Sequence, residues 1–206
     1  MVNRKHRCAL WIASIFLLFS MNSFAFGIND LQQQLAQSTL IRGEFQQVRT
    51  MQMFNQPLST SGTFLLDHEK GLLWQQTKPF PINLTLTQNK LRQSINGEAQ
   101  VMNDSENPMA FYFTRLFLSL FKGDTDAIKE NFTLELSGEK DVWTLLLIPT
   151  TSPIDSVFKS IKIEGGLYLN RVVLSEVRGD VTEMVFTQQS TQPNTLTEKE
   201  LAAFAF

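Results

Sequence analysis

Between residues 43 and 189 the chain reads as a succession of short segments with a two-residue hydrophobic period, broken once by an apolar run of helical period. This pattern demands strands that bury one face, and it leaves few architectures open. The cleanest segment alternates Ile82, Leu84 and Leu86 with Asn83, Thr85 and Thr87. Further strands are expected at 44–54, 58–66, 71–77 (Leu72 and Trp74 on one face) and 90–95, where Asn96-Gly97 signals a turn. After the interruption the pattern resumes at 132–136, 142–148, 157–163, 167–177 and 181–189. Turn signals separate these last strands at Ser137-Gly138, 149–153, Gly165-Gly166 and Gly179-Asp180.

The interruption, residues 108–121, places Met109, Phe113, Leu116, Phe117 and Leu120 at helical spacing. Phe111, Tyr112 and Leu118 carry the apolar surface round the rest, so this helix must be buried on more than one side. Gly123 ends it, and a short helix at 126–130 follows, with Asp124 or Thr125 as its cap. A first helix is expected at 28–38, capped by Asn29, and a last helical turn at 198–203. The fold class expected is mainly β with α: a strongly curved antiparallel sheet wrapped round helices on its concave face.

The N-terminus reads as a removable export signal. Asn3-Arg4-Lys5-His6-Arg7 is a basic leader, residues 8–19 are apolar, and Ser23-Phe24-Ala25 offers small residues to a signal peptidase. The apolar run falls short of the roughly 20 residues of a membrane span. An uncleaved anchor is the alternative. Cleavage after Ala25 leaves 26–206 as one domain in an extracytoplasmic compartment. The only cysteine, Cys8, lies inside the leader, so disulfides, thiolate metal sites and cysteine nucleophiles drop out together. Cys8 also precedes the apolar run, whereas a lipidation cysteine would follow it. The 20 acidic residues outnumber the 18 basic ones, three of which (Arg4, Lys5, Arg7) are in the leader, so no nucleic-acid partner is expected.

Motifs for catalysis do not assemble. His68 is the one histidine beyond the leader and sits in a turn; with no second histidine it makes no metal pair. Ser156-Val157-Phe158-Lys159 matches Ser-x-x-Lys, but the strand alternation there aims Ser156 and Lys159 at opposite faces. Arg178-Gly179-Asp180 reads as a hairpin turn, and Asp124-Thr125-Asp126 lacks the later glycine and glutamate of a calcium loop. Asn83 and Asn131 match the glycosylation acceptor but fall in half-buried strands. No catalytic residue, metal or cofactor is expected, and the chain is read as a non-enzyme.

What stands out instead is apolar surface: 17 phenylalanines against two tyrosines. Phenylalanine supplies area without a polar handle. Leu72, Trp74, Ile82, Leu84 and Leu86, facing the 109–121 helix, make either a close-packed core or the lining of a cavity for an acyl chain. Burying an acyl chain is worth about 0.8 kcal/mol per CH₂, enough for a modest pocket to hold one.

Phe45-Gln46-Gln47-Val48-Arg49, then Pro57-Leu58-x-x-Ser61-Gly62, then Gly-Leu-Leu-Trp-Gln-Gln-Thr-Lys-Pro-Phe at 71–80, resemble the periplasmic outer-membrane lipoprotein carrier family (LolA-like). The order of leader, helix, proline-led apolar helix and closing strands fits as well. The resemblance implies an unclosed antiparallel β-barrel, a half-barrel, with an α-helical lid over an apolar cavity. It implies a soluble periplasmic carrier, acting as a monomer without a cofactor. Such a carrier binds the acyl chains of a lipoprotein or lipid, takes them from an inner-membrane donor transporter and passes them to an outer-membrane acceptor. Mapped onto this chain, the cavity and lid contacts are Phe45, Leu72, Trp74, Leu84, Met109, Phe113 and Phe117. Two features depart from the family. His68 stands where the family carries the arginine that latches the lid, with Glu69-Lys70 after it, and Phe206 falls where the family continues into a C-terminal loop and strand. These departures imply a divergent paralogue whose cargo is another lipid, such as a glycolipid. The alternative reading is a half-barrel scaffold with a filled core.

Overall fold

Eleven antiparallel strands form one sheet in the order β6-β5-β4-β3-β2-β1-β11-β10-β9-β8-β7. They are β1 (Leu40–Thr50), β2 (Leu58–Asp67), β3 (Gly71–Lys78), β4 (Ile82–Leu86), β5 (Lys90–Ile95) and β6 (Glu98–Asn103), then β7 (Phe132–Glu139), β8 (Val142–Pro149), β9 (Phe158–Gly165), β10 (Leu169–Glu176) and β11 (Val181–Ser190). The computed structural model describes residues 26–95, 97–103, 105–106, 108, 111–112, 115–116, 118–119 and 124–206. The expected leader and its expected cleavage site, residues 1–25, lie outside the described residues.

Within each half of the sheet consecutive strands are neighbours, with the single helical turn between β8 and β9 the one helix inserted, and β1 pairs with β11 at the centre. Consecutive strands β6 and β7 therefore end up on the two far edges. The connection between them has to cross a face of the sheet, and it carries the apolar helix. Helix α2 is described at Pro108, Phe111, Tyr112, Arg115, Leu116, Leu118 and Ser119, and α3 (Thr125–Lys129) follows. Leu116, Leu118 and Ile128 share one buried cluster with Phe45, Phe64, Trp143, Ile163, Val172 and Met184. The crossing thus lies on the inner face, which α2 and α3 roof. The sheet stays unclosed, a half-barrel, because β6 and β7 do not pair.

Helix α1 (Ile28–Ala36) buries Leu31 and Leu35 in the same cluster. Its buried Gln34 donates from Nε2 to the carbonyls of Lys140 (3.1 Å) and Gly166 (2.5 Å). The Gly166 carbonyl also accepts Trp143 Nε1 at 2.8 Å, so one oxygen ties α1 to the β8–β9 region. The first-turn anchor differs from the expected Asn29 cap: the Gly27 N–H donates to Asp30 Oδ2 at 2.8 Å. Asp30 wins because its carboxylate reaches back over the open first turn, where the helix dipole favours negative charge.

The outer face has its own cover. Helix α5 (Glu198–Phe204) lays Ala203 and Phe204, with Leu196, over Leu40, Leu65 and Leu73. Thr197 and Glu200 form a capping box, with Glu200 Oε2 accepting the Thr197 N–H at 2.7 Å. Arg42 then grips Glu200 through both carboxylate oxygens, Nε to Oε1 at 2.7 Å and Nη2 to Oε2 at 2.7 Å. The paired guanidinium holds the Glu200 carboxyl down at about 2.

Three local expectations are corrected. Strand β6 was not expected, because Glu98-Ala-Gln-Val-Met-Asn is an edge strand exposed along most of its length and shows no alternation. Ser156 lies not in a strand but in the single turn of α4 (Ile154–Val157), which follows Pro153 and is pinned by buried Ile154. Its hydroxyl donates to the Pro153 carbonyl at 2.5 Å. Asn131 sits in the turn ahead of β7, where its Oδ1 accepts the Thr151 hydroxyl at 2.8 Å, and Asn83 is exposed on β4.

Candidate lipid-binding face

Strand register decides which side chains share the inner face. Phe45 on β1 lies opposite Gly62 on β2 and Phe186 on β11. Phe64 on β2 lies opposite Gly43 on β1 and Trp74 on β3. Trp74 in turn faces Leu84, and Leu72 faces Leu86. Aromatic rings therefore alternate with glycines across the central strands. Phe45 and Trp74 reach over Gly62, the glycine between their strands, and stack with ring centroids 3.6 Å apart at 25°. Phe186 meets Trp74 edge-on at 6.3 Å and Phe64 at 5.2 Å. The glycines are required by space. A Cβ on Gly43 would lie 2.6 Å from the Phe64 ring, and one on Gly62 would lie 1.9 Å from the Gln75 carbonyl oxygen.

Phe45 is only 1 % exposed, while Leu72, Trp74 and Leu84 above and beside it are half-buried. The arrangement is an apolar floor under a less completely covered apolar layer. Expected contacts Phe45, Leu72 and Trp74 come together in one packed cluster, and Leu84 joins the same face by register. Met109, Phe113 and Phe117 lie outside the described residues. Their neighbours Leu116 and Leu118 are buried in the cluster and Tyr112 is packed against it. Burial pushes the Tyr112 phenol up, so it faces the apolar interior uncharged.

On β9 charge is kept to the outer face. Ile161 and Ile163 point into the core while Lys162 and Glu164 point out. Arg171 bridges Glu164 and Glu183, each at 2.9 Å. The hydrogen bond from Lys162, and then that from Arg171, lowers the Glu164 carboxyl.

The sequence motifs resolve into local structure. In the β2–β3 turn Asp67 Oδ1 accepts the Glu69 and Lys70 N–H groups at 2.9 and 2.8 Å. The His68 N–H donates to the Thr39 carbonyl at 3.0 Å, and this residue is half-buried rather than fully solvated. Arg178-Gly179-Asp180 is the β10–β11 hairpin turn, with Gly179 at φ +95°. Among the described residues no group of three or more His, Cys, Asp or Glu could hold a metal ion. Phe64, Phe186 and Gly43 belong to the face but were not singled out in the sequence. Only cross-strand register, which is non-local, assigns them.

An unclosed antiparallel half-barrel with an apolar cluster on its inner face and helices roofing it is the class of protein these features define. The family described as "Outer membrane lipoprotein carrier protein LolA-like" matches residues 21–203, and the chain belongs to it. No curated protein matches the sequence. Among solved structures it is similar to a LolA superfamily protein from Nitrosomonas europaea, at 7% identity and TM-score 0.47, covering 84% of this chain and 96% of that one. It is also similar to a putative outer membrane lipoprotein-sorting protein domain from Vibrio parahaemolyticus, at 10% identity and TM-score 0.45, covering 85% and 97%. The Pseudomonas aeruginosa MucA/MucB complex is similar at 15% identity and TM-score 0.42, covering 84% of this chain and 60% of that one.

Proposed function

We propose that this protein is an exported periplasmic carrier that takes the acyl chains of a lipoprotein or lipid against its inner face and passes them from the inner to the outer membrane. The observation that carries this reading is the aromatic floor: Trp74 stacked on fully buried Phe45, with Trp74, Leu72 and Leu84 themselves only half-covered. A half-covered Trp74 beside half-covered Leu72 and Leu84 leaves apolar surface for an acyl chain to cover, and such a chain recovers about 0.8 kcal/mol per CH₂ there. The work is non-covalent: binding, exclusion of water and release when α2 lifts. The chain is a non-enzyme in this reading, a monomer, and needs no cofactor. Donor and acceptor are transient partners.

The competing reading is a half-barrel scaffold with a filled interior, and the burial of Leu116 and Leu118 against the inner face favours it. Trp74 emission separates the two. Trp143 is 1 % exposed and hydrogen-bonded, so it supplies a constant background. A carrier shows a shifted, ligand-dependent Trp74 signal on titration with a lysophospholipid below its micelle concentration. A scaffold shows an unchanged spectrum at saturating lipid, and that result refutes acyl binding at this face.

A further inference from the structure

The two ends of the β1–β6 half of the sheet are chemically unlike. At one end the turns are polar, Asp67-His68-Glu69-Lys70 between β2 and β3 and Gln88-Asn89 between β4 and β5. At the other end the chain carries Met53 (80 % exposed) and Phe54 between β1 and β2, Leu58 at the start of β2, Phe80 between β3 and β4 and Ile95 at the end of β5, with Val177 beside them in the adjoining β10–β11 turn. Pairings of Leu58 with Arg49, Thr50 with Val181, Lys78 with Ser61 and Ile82 with Ile95 line these tips up in one continuous row. Turns prefer Gly, Asn, Asp, Ser and Pro for conformational reasons, and none of those reasons calls for Met-Phe or Phe at a solvated tip. An exposed apolar row of this kind marks a binding surface.

Charge selects the partner. Across residues 50–58, 76–82 and 94–95 the sole charged side chain is Lys78, and it is positive. At the adjoining β10–β11 hairpin the carboxylates are already engaged. Glu176 pairs with Arg49 (3.0 Å) and Arg178 (2.7 Å), and buried Asp180 pairs with Arg178 (2.9 Å). Arg178 remains 62% exposed on its outer side. Asp180 also accepts the N–H of Gln52, next to Met53, at 3.1 Å, and Glu98 pairs across from Ile95. Apolar tips on separate loops with a basic flank fit a lipid surface, where Met, Phe and Leu enter the headgroup–acyl boundary and cations meet anionic headgroups. The row also leads inward, since Ile82 faces Gln76 and the next inward-facing pair is Trp74 and Leu84.

We propose that this end of the half-barrel is a membrane-docking rim that seats on an anionic phospholipid bilayer through Met53, Phe54, Leu58 and Phe80, with Lys78 and Arg178 as its electrostatic anchors. The proposal goes beyond the carrier reading and requires no cargo.

The test uses residues 26–206, which hold every described strand and helix and contain no cysteine. Circular dichroism and a cooperative melt first establish that each variant is folded. Phe54→Cys, Phe80→Cys and, as a control at the opposite end of the sheet, Val142→Cys are labelled with an environment-sensitive thiol dye. They are mixed with cargo-free vesicles of phosphatidylethanolamine and phosphatidylglycerol. The expected result is a blue shift at 54 and 80 and none at 142. A lower partition coefficient is expected for Met53→Ser/Phe54→Ser, by about tenfold for each side chain removed. Lys78→Gln weakens binding only when phosphatidylglycerol is present. No shift at 54 or 80, or an equal shift at 142, overturns the proposal. Protection of the 54 label by a detergent-solubilised envelope fraction but not by vesicles also overturns it and gives the rim to a protein partner. Because no cargo is present, failure here leaves acyl binding at Trp74 untouched, and failure of acyl binding leaves the rim untouched.

Discussion

Replacing Phe45 by alanine tests the inner face at its deepest point. Phe45 is 1 % exposed, and its ring lies 3.6 Å from that of Trp74. Truncation removes the floor beneath the tryptophan, and Gly62 and Gly43 on the neighbouring strand positions cannot fill the space. Phe→Ala at such a site costs about 3–5 kcal/mol, of which the lost stack is about 0.5–1.5 kcal/mol. A domain of this size loses about 2–4 °C of melting temperature per kcal/mol, so the variant should melt roughly 10 °C lower yet remain folded. Urea unfolding followed by tryptophan fluorescence gives the free energy, and native Trp74 emission should move to the red. The second arm adds a lysophospholipid. If the face accepts acyl chains, ligand enters the enlarged space and restores stability, by about 2.7 kcal/mol at a hundred times Kd, and restores more in the variant than in the parent. A loss below about 1 kcal/mol would show that the ring is not a packed floor. A full loss with no ligand rescue would show a core that is closed to lipid.

Two further perturbations follow from the same geometry. The Glu200 carboxyl, held near 2 by Arg42 against its ordinary 4.5, contributes stability above pH 4.5 that is lost as pH falls toward 2. Both side chains are about one-fifth exposed, so solvent screening limits the contribution to about 1 kcal/mol. Glu200→Gln should lower the urea midpoint at pH 7, with a smaller gap to the parent at pH 3; an equal gap at both would refute the ion-pair assignment. Gly62→Ala and Gly97→Ala contrast two glycines. At Gly62 a Cβ strikes the Gln75 carbonyl oxygen at 1.9 Å, whereas at Gly97, with φ +88°, it meets nothing within 4 Å. The first should disrupt β2–β3 pairing and abolish soluble expression, and the second should cost only about 1–2 kcal/mol of backbone strain. Similar melting temperatures for the two would contradict the register.

Much of the sheet was legible because its signals are short-range. The alternation of Ile82, Leu84 and Leu86 and the glycine turns locate β4, β5, β10 and β11 within a few residues. Where the local signal fades, the reading fades with it. Glu98-Ala-Gln-Val-Met-Asn becomes β6 only because β5 offers it a partner. Ser156 turns helical because Pro153 and buried Ile154 set the chain there. The inner-face residues Phe45, Leu72, Trp74 and Leu84 were accessible through their alternation and the motifs around them. Phe64, Phe186 and Gly43 were not, since only pairing across β1, β2 and β11 puts them beside the others.

By itself the sequence determined that this chain makes many one-sided strands, one apolar helix and no cysteine chemistry beyond Cys8, because period, turn residues and composition are properties of neighbours along the chain. Tertiary structure decided the rest. It set β1 against β11, which drove β6 and β7 apart and forced their connection across the inner face. It stacked Phe45 on Trp74 over Gly62, and it set Met53, Phe54, Leu58 and Phe80 side by side at one end of the β1–β6 half. Those outcomes depend on which distant strands pair and in what register, and a one-residue slip would turn every one of these side chains to the opposite face.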